Sequence, residues 1–468
     1  MFELYPEAFR ERFLGGVEQK VSEFWQAMIA AEHPALDEHP LVTKESFQTR
    51  AVPLSLHGDG VPVSGVGKAW SQSVDCYSFS SLLSSGSTIF SNYVIFFIYK
   101  MLKVSGGHRD TFAAFFRKLC WSFNSLFLGQ WPLLDDQGLP FTPGSRAAAK
   151  AGQVLAGGFF GVLWCIRADL EFLANVLNLQ KPTARQPCCL CLGDCTPQNA
   201  WTDFRDGGAW ENTWWTRNAD WHLHRQDEEV HPLLALPGLG VLAIYPDVMH
   251  VKHLGTDAYF YGSVLKYLTH HYLQQDTPEN LERVWALVQH AYSANRTRHR
   301  YTNMRLSMFA GLPHHFPKLK GRAAEIRNLG RPLLHVVDEL LDMTSLTNRQ
   351  IRLGLKLSVR MEEIIDEHVD DIVWPQAVCQ EFYKAAQSFL MLQTALGRHF
   401  HPQGCMLFHT TIKSHLLHVA QAARFMNPRL GWTYSGEDSC SLGWGTRGRW
   451  GGREGEGHRE GGRAGREK

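Results

Sequence analysis

Residues 51–65 read Ala51-Val-Pro-Leu-Ser-Leu-His-Gly-Asp-Gly-Val-Pro-Val-Ser-Gly65, and the interpretation of this stretch decides the rest. Val52, Leu54 and Leu56 alternate with smaller or polar residues, the period-two pattern of a strand with one buried face. The run ends on His57-Gly58-Asp59-Gly60, so Asp59 is expected at a strand end. Glycines on either side let the backbone turn and leave room for a ligand to approach the carboxylate, and Val61 and Val63 restart an extended segment. Taken alone, the stretch reads as an ordinary Asp-Gly hairpin turn. The residues that accompany Asp59 further along the chain give it a second reading.

A chain of 468 residues with 44% hydrophobic content can bury a large core and hold two or three domains, or one domain with an insertion. Its formal net charge of +1 creates no global field toward nucleic acid or membrane, so any basic binding surface must be local. Ten cysteines without a secretory leader at Met1-Phe-Glu-Leu-Tyr-Pro-Glu-Ala predict a reducing compartment. The most apolar run, 89–102, is shorter than the roughly 20 residues of a membrane helix and contains Ser91, Asn92 and Lys100. It is expected to be a buried strand, and its length argues against a class anchored in a membrane through residues 88–102.

Outward from residue 51, Phe13, Val17, Val21, Phe24 and Met28 recur at helical spacing, with Pro34 and Pro40 ending the helix. On the other side, 68–85 and 88–99 complete a three-strand meander with the 51–65 segment. Asp110 opens a helix carrying Phe112, Phe115, Phe116, Leu119, Phe123 and Leu126. Residues 157–166 form a second apolar strand ending on Arg167-Ala-Asp169, and Leu170, Leu173, Val176 and Leu177 continue as a helix. Three antiparallel strands, a helix, a strand and a helix are the element order of a ribonuclease-H-like α/β core with a mixed sheet, a fold that places carboxylates at adjacent strand ends. The core spans 51–180 behind an N-terminal helical segment, 1–50. A large, mainly helical insertion occupies 181–400, starting rich in Cys and Trp, and 401–442 returns to the core. The Gly/Arg/Glu-rich tail 443–468 is expected to be disordered.

Three constellations can carry chemistry. Asp59 and Asp169 call for a third carboxylate, because two divalent ions about 3.5–4 Å apart need bridging and terminal oxygens. Glu437, after the Gly436 break, is the candidate, with Asp438 as a substitute. Asp247-Val-Met-His250, followed by His253, and Lys413-Ser-His415-Leu-Leu-His418 supply histidines. His415 and His418 share a helix face, and Lys413 can contact a phosphate. Cys188-x-x-Cys191 has knuckle spacing for zinc, with Cys195 as a third ligand and His222 or His224 as a fourth, set against free buried thiols. Trp201, Trp210, Trp214, Trp215 and Trp221, interleaved with Arg205 and Arg217, could stack on bases. Core packing is the plainer reading of these tryptophans.

In this order the motifs resemble the eukaryotic DDE transposases of the Kyakuja-Dileera-Zisupton group and the Plavaka-like elements. The matching pieces are His57-Gly-Asp59, Ala168-Asp-Leu-Glu-Phe-Leu173, Pro187-Cys-Cys-Leu-Cys191, Pro246-Asp-Val-Met-His250 with Leu254-Gly255, Lys413-x-His415-x-x-His418 and the Glu437 segment. Family members usually carry Gly where Ala168 stands. The resemblance implies that Asp59, Asp169 and Glu437 hold two Mg2+ (or Mn2+) ions for DNA nicking and strand transfer. His57, Asp247, His250, Lys413, His415 and His418 would support them. It also implies DNA as partner, a homo-oligomer and a nuclear location. Two departures stand out: the tail replaces the helix that should follow Glu437, and no DNA-binding module is expected ahead of residue 50. Both predict impaired catalysis, and a catalytically dead nucleic-acid or protein interaction module is the alternative.

Overall fold

The structure, a computed structural model, describes residues 1–63, 72–84, 88–107, 110–225, 230–311, 314–418 and 425–434. Its centre is a four-stranded mixed sheet of β1 (Ala51–Val63), β2 (Gln72–Ser81), β3 (Tyr93–Tyr99) and β4 (Phe160–Ala168), in the order β3-β2-β1-β4. β1 pairs antiparallel with β2 and parallel with β4, so it is central, and the expected meander is present. One further parallel bridge, Ile166 to Ile244, extends the ladder beyond β4.

The turn expected at His57-Gly58-Asp59-Gly60 is not there. β1 runs straight through it, with Gly58 opposite Tyr77 and Asp59 opposite Cys76 on β2. Pairing on both sides holds the segment extended, and the glycine at 58 answers a different need. A Cβ there would overlap the Phe172 ring, which packs directly on the strand. The parallel pairing with β4 ends at Gly58 and Ala168, so Asp59 still sits where that ladder stops.

Helix α1 (Thr111–Leu128) covers the sheet face carrying Leu54 and Leu56, burying Phe116, Leu119 and Phe123. Asp110 caps it, its side chain accepting from Ala113 N–H at 2.8 Å, as the sequence suggests. The alternation along β1 predicted one buried face. Both are buried: Ser55 and His57, on the polar face, are 1% and 3% exposed.

Two other expectations change. The single helix expected over 13–28 is split into Pro6–Phe13 and Gln19–Ala30, because Gly15 and Gly16 adopt left-handed backbone and break the run. Val17, in that break, is exposed. The apolar 89–102 run is not a buried strand: β3 lies at the sheet edge, and Val94, Ile95, Phe97, Met101 and Leu102 are exposed. Neighbours on one side only leave an edge strand's outer face open.

Beyond β4 a short helix, α2 (Leu170–Asn175), leads into loops, single turns and one two-turn helix, Asn218–His224, up to about residue 248. The helical part of the insertion therefore begins later than expected. It opens with wide, i→i+5 bonded turns over Met249–Asp257 that continue into α3 (Ala258–Tyr267). Then come α4 (Thr277–Ala294), α5 (Gly330–Leu340), α6 (Leu346–Glu367) and α7 (Gln376–Phe400). Helix α8 (Ile412–His418) returns to the sheet side. One hydrophobic core runs from the N-terminal helices to α7. No helix among the described residues is long and apolar enough to cross a membrane. The tail 443–468 lies outside the described residues.

Candidate active site

β1 and β4 deliver the two predicted aspartates side by side, since the last parallel pair, Gly58 with Ala168, immediately precedes them. Asp169 caps α2: its Oδ1 accepts from Phe172 N–H at 2.7 Å, which fixes the carboxylate's direction. Burial pushes the Asp59 carboxyl up from its ordinary value, and the negative charge of Asp169 pushes it further. Among the described residues neither aspartate forms an ion pair. A buried carboxylate raised in part by a neighbouring one makes a site that gains from a cation.

The expected neighbours are also here. Asp247 is buried and accepts four hydrogen bonds: Oδ1 from Met249 N–H (3.0 Å) and Thr433 N–H (3.2 Å), Oδ2 from His250 Nδ1 (2.6 Å) and Thr433 Oγ1 (2.6 Å). Burial raises its pKa, but these bonds, His250 foremost, outweigh burial and hold it below the ordinary value. His250 and Asp247 are both felt electrostatically at Asp59. His57, opposite Arg167 on β4, is buried beside them. Neither of its ring nitrogens has a hydrogen-bond partner among the described residues. Burial, then Arg167, lowers its pKa to about 3, so it is neutral.

Lys413 approaches from α8. Its stem lies over Gly255, where a Cβ would come within 2.9 Å of Lys413 Cδ; a side chain at 255 would displace the lysine. Burial, then the charge of Lys318, lowers the Lys413 pKa to about 8, while Asp169 and Asp247 act the other way. A cation therefore flanks the acidic pair. Glu437 and Asp438 lie outside the described residues. Thr433 and Tyr434 are gripped from the wide-turn segment, by Asp247 and by His253, whose Nδ1 is 2.8 Å from Tyr434 Oη.

His415 does not join this site. It is fully buried with Nε2 3.3 Å from Cys191 Sγ, and Cys188, Cys191 and His415 bring three ligand atoms within 4.8 Å of one another. The predicted ligand set is corrected accordingly. Cys195 is exposed, His222 bonds the Leu239 carbonyl at 3.2 Å, and His224 packs on Trp215. The side chain of His418, the last residue of α8, lies outside the described part. The thiol of Cys191 is lowered to about 5, first by Cys188 and then, against burial, by His415.

A second group, His253, Asp257 and Glu362, also has metal-ligand spacing, and the sequence reading missed it. Here the protein supplies its own cation. Lys252 Nζ lies 2.8 Å from Asp257 and 2.7 Å from Glu362, and Arg327 Nε lies 2.6 Å from Glu362. Lys252, His253 and Arg327 hold Glu362 well below its ordinary pKa despite its burial. The only sequence signal was Lys252 and Asp257 five apart, a spacing too common to notice.

The tryptophans serve packing. Trp210 and Trp221 are buried, Arg205 pairs with Asp203, and Arg217 pairs with Glu38. Compared with known proteins, the chain matches no family model, and no curated protein matches it.

Proposed function

We propose that the chain carries a ribonuclease-H-like core of the DDE transposase type, whose ancestral reaction is divalent-metal-dependent cleavage and joining of DNA strands. The observation that carries this reading is the sheet order β3-β2-β1-β4, with β1 parallel to β4 and Asp59 beside Asp169 where that ladder ends. The parallel bridge from Ile166 to Ile244 marks the fifth position such a sheet would have.

The residues present fit magnesium or manganese: hard carboxylate oxygens, repelling each other, with no ion pair to a protein cation among the described residues. Bound there, a metal pair would activate water, then a freed 3′ hydroxyl, for in-line attack on phosphorus. The chain's own part is positional. Phe172 N–H aims Asp169, His250 and Thr433 hold Asp247, and Lys413 offers an ammonium to a non-bridging phosphate oxygen. Glu437, four positions after the anchored Thr433, is the third carboxylate of this reading. DNA as partner, self-association and nuclear residence belong to the same proposal.

Titration calorimetry with Mg2+ and Mn2+ on the folded chain, beside a plasmid-nicking assay, tests it. Metal binding is expected in the parent, with nicking at most weak and falling to background in Asp59→Ala with no change in circular dichroism. A folded parent that binds neither ion would overturn the catalytic reading and leave an interaction module. Unchanged nicking by Asp59→Ala would remove Asp59 from the mechanism.

A further inference from the structure

The cluster of Cys188, Cys191 and His415 lies apart from the acidic pair and has a regular construction. Leu190 N–H points at Cys188 Sγ at 3.3 Å, and Gly193 N–H points at Cys191 Sγ at 3.4 Å. Each sulfur thus receives a backbone donor two residues on. That favours sulfur carrying negative charge and is of little use to a neutral thiol. The third group comes from far along the chain. His415 Nδ1 donates to the Trp201 carbonyl at 2.9 Å, which leaves Nε2 with its lone pair, 3.3 Å from Cys191 Sγ. An imidazole whose other nitrogen is held by a backbone carbonyl has the tautomer and orientation of a metal ligand. Trp210 packs against the His415 ring at 4.3 Å, and all three ligands are buried, so water has little access.

We infer that Cys188, Cys191 and His415 bind one zinc ion, which ties helix α8 to the Cys-rich loop at the start of the insertion. Two thiolates and an imidazole are soft and borderline donors, which select zinc over the magnesium suited to the acidic pair. Both sulfurs bind as thiolates, any thiol proton they carry leaving to solvent, and zinc keeps its charge state throughout. Cys189 and Cys195 stand outside the set: Cys189 is buried but is not among the clustered ligands, and Cys195 is exposed. The rival arrangement is a plain S–H···N hydrogen bond between Cys191 and His415. The zinc site does not depend on the DNA-cleaving reading.

Zinc content of the full chain, purified without chelator, is the first measurement, and about one equivalent is expected. Cys188→Ser, Cys191→Ser and His415→Ala should each lose it, whereas Cys189→Ser and Cys195→Ser should keep it. If a ligand variant does not fold, cobalt substituted into the parent decides instead. Sulfur-to-cobalt charge transfer is expected. A folded parent without zinc and without that spectrum overturns the proposal, and so does zinc that survives all three ligand variants. Loss of magnesium binding with zinc retained would strike only the function proposed above.

Discussion

Gly58 shows how one residue can be seen in a sequence and misread. Between His57 and Asp59 it signals a turn, yet it sits inside a doubly paired strand because the Phe172 ring leaves no room for a methyl group. Gly58→Ala should therefore destabilise by about 1–3 kcal/mol through overpacking, measured by denaturant unfolding. Gly58→Ala combined with Phe172→Leu should cost less than the sum of the two single changes, because the smaller side chain opens the space the methyl needs. Strict additivity would show that the ring is not what excludes a side chain. Asp59 and Asp169 were legible as acids following apolar runs, though only Asp169 follows its strand while Asp59 lies within β1. Their electrostatic coupling was not, since it depends on which strands become neighbours.

At the scale of elements, three His-Pro pairs repeat one device. His33, His39 and His231 each precede a proline that starts a tight turn, and in each the imidazole Nδ1 accepts the N–H two residues on, at 3.1, 2.9 and 3.2 Å. A protonated Nδ1 cannot accept. Burial lowers these histidines to about 3, 4 and 4 from an ordinary 6.5. A folded-state pKa below the unfolded one contributes stability that is complete above about pH 6.5 and is lost as pH falls toward 4. The thermal midpoint should accordingly drop between pH 6.5 and 4, with net proton uptake on unfolding. A flat profile across that window would refute the neutral caps. The prolines were legible as helix breakers. The capping role of the histidine before each was not, because it needs the imidazole buried by elements elsewhere in the chain.

Across the whole molecule, the wide-turn segment Met249–Asp257 links the sheet side to the helical bundle. Asp247, two residues ahead of it, and His250, at its start, act electrostatically on Asp59, and Lys252 and His253 reach Glu362 on α6. Ser358 completes the buried network, donating to Asp257 at 2.8 Å. Lys252→Met would leave Asp257 without its ammonium partner in the core and should cost about 3–5 kcal/mol, read by chemical denaturation. A change under 1 kcal/mol would mean that water or Arg327 takes over. Since one core spans both parts, the loss should appear in a single unfolding transition rather than in the bundle alone.

The sequence by itself determined where strands and helices form and which residues could do chemistry, because alternation, helical spacing, Pro and Gly act between near neighbours. It placed Asp169 after its strand, opened α1 at Asp110, and marked Cys188-x-x-Cys191 as a ligand pair. Only the tertiary structure decided that His415, 224 residues from Cys191, completes that cluster in place of Cys195. It also decided that β3 lies at an edge with its apolar side chains exposed, and that Lys252 forestalls a metal at Glu362. Those outcomes depend on which distant segments meet, and the free energy of such meetings comes from burial and pairing that no short window of sequence contains.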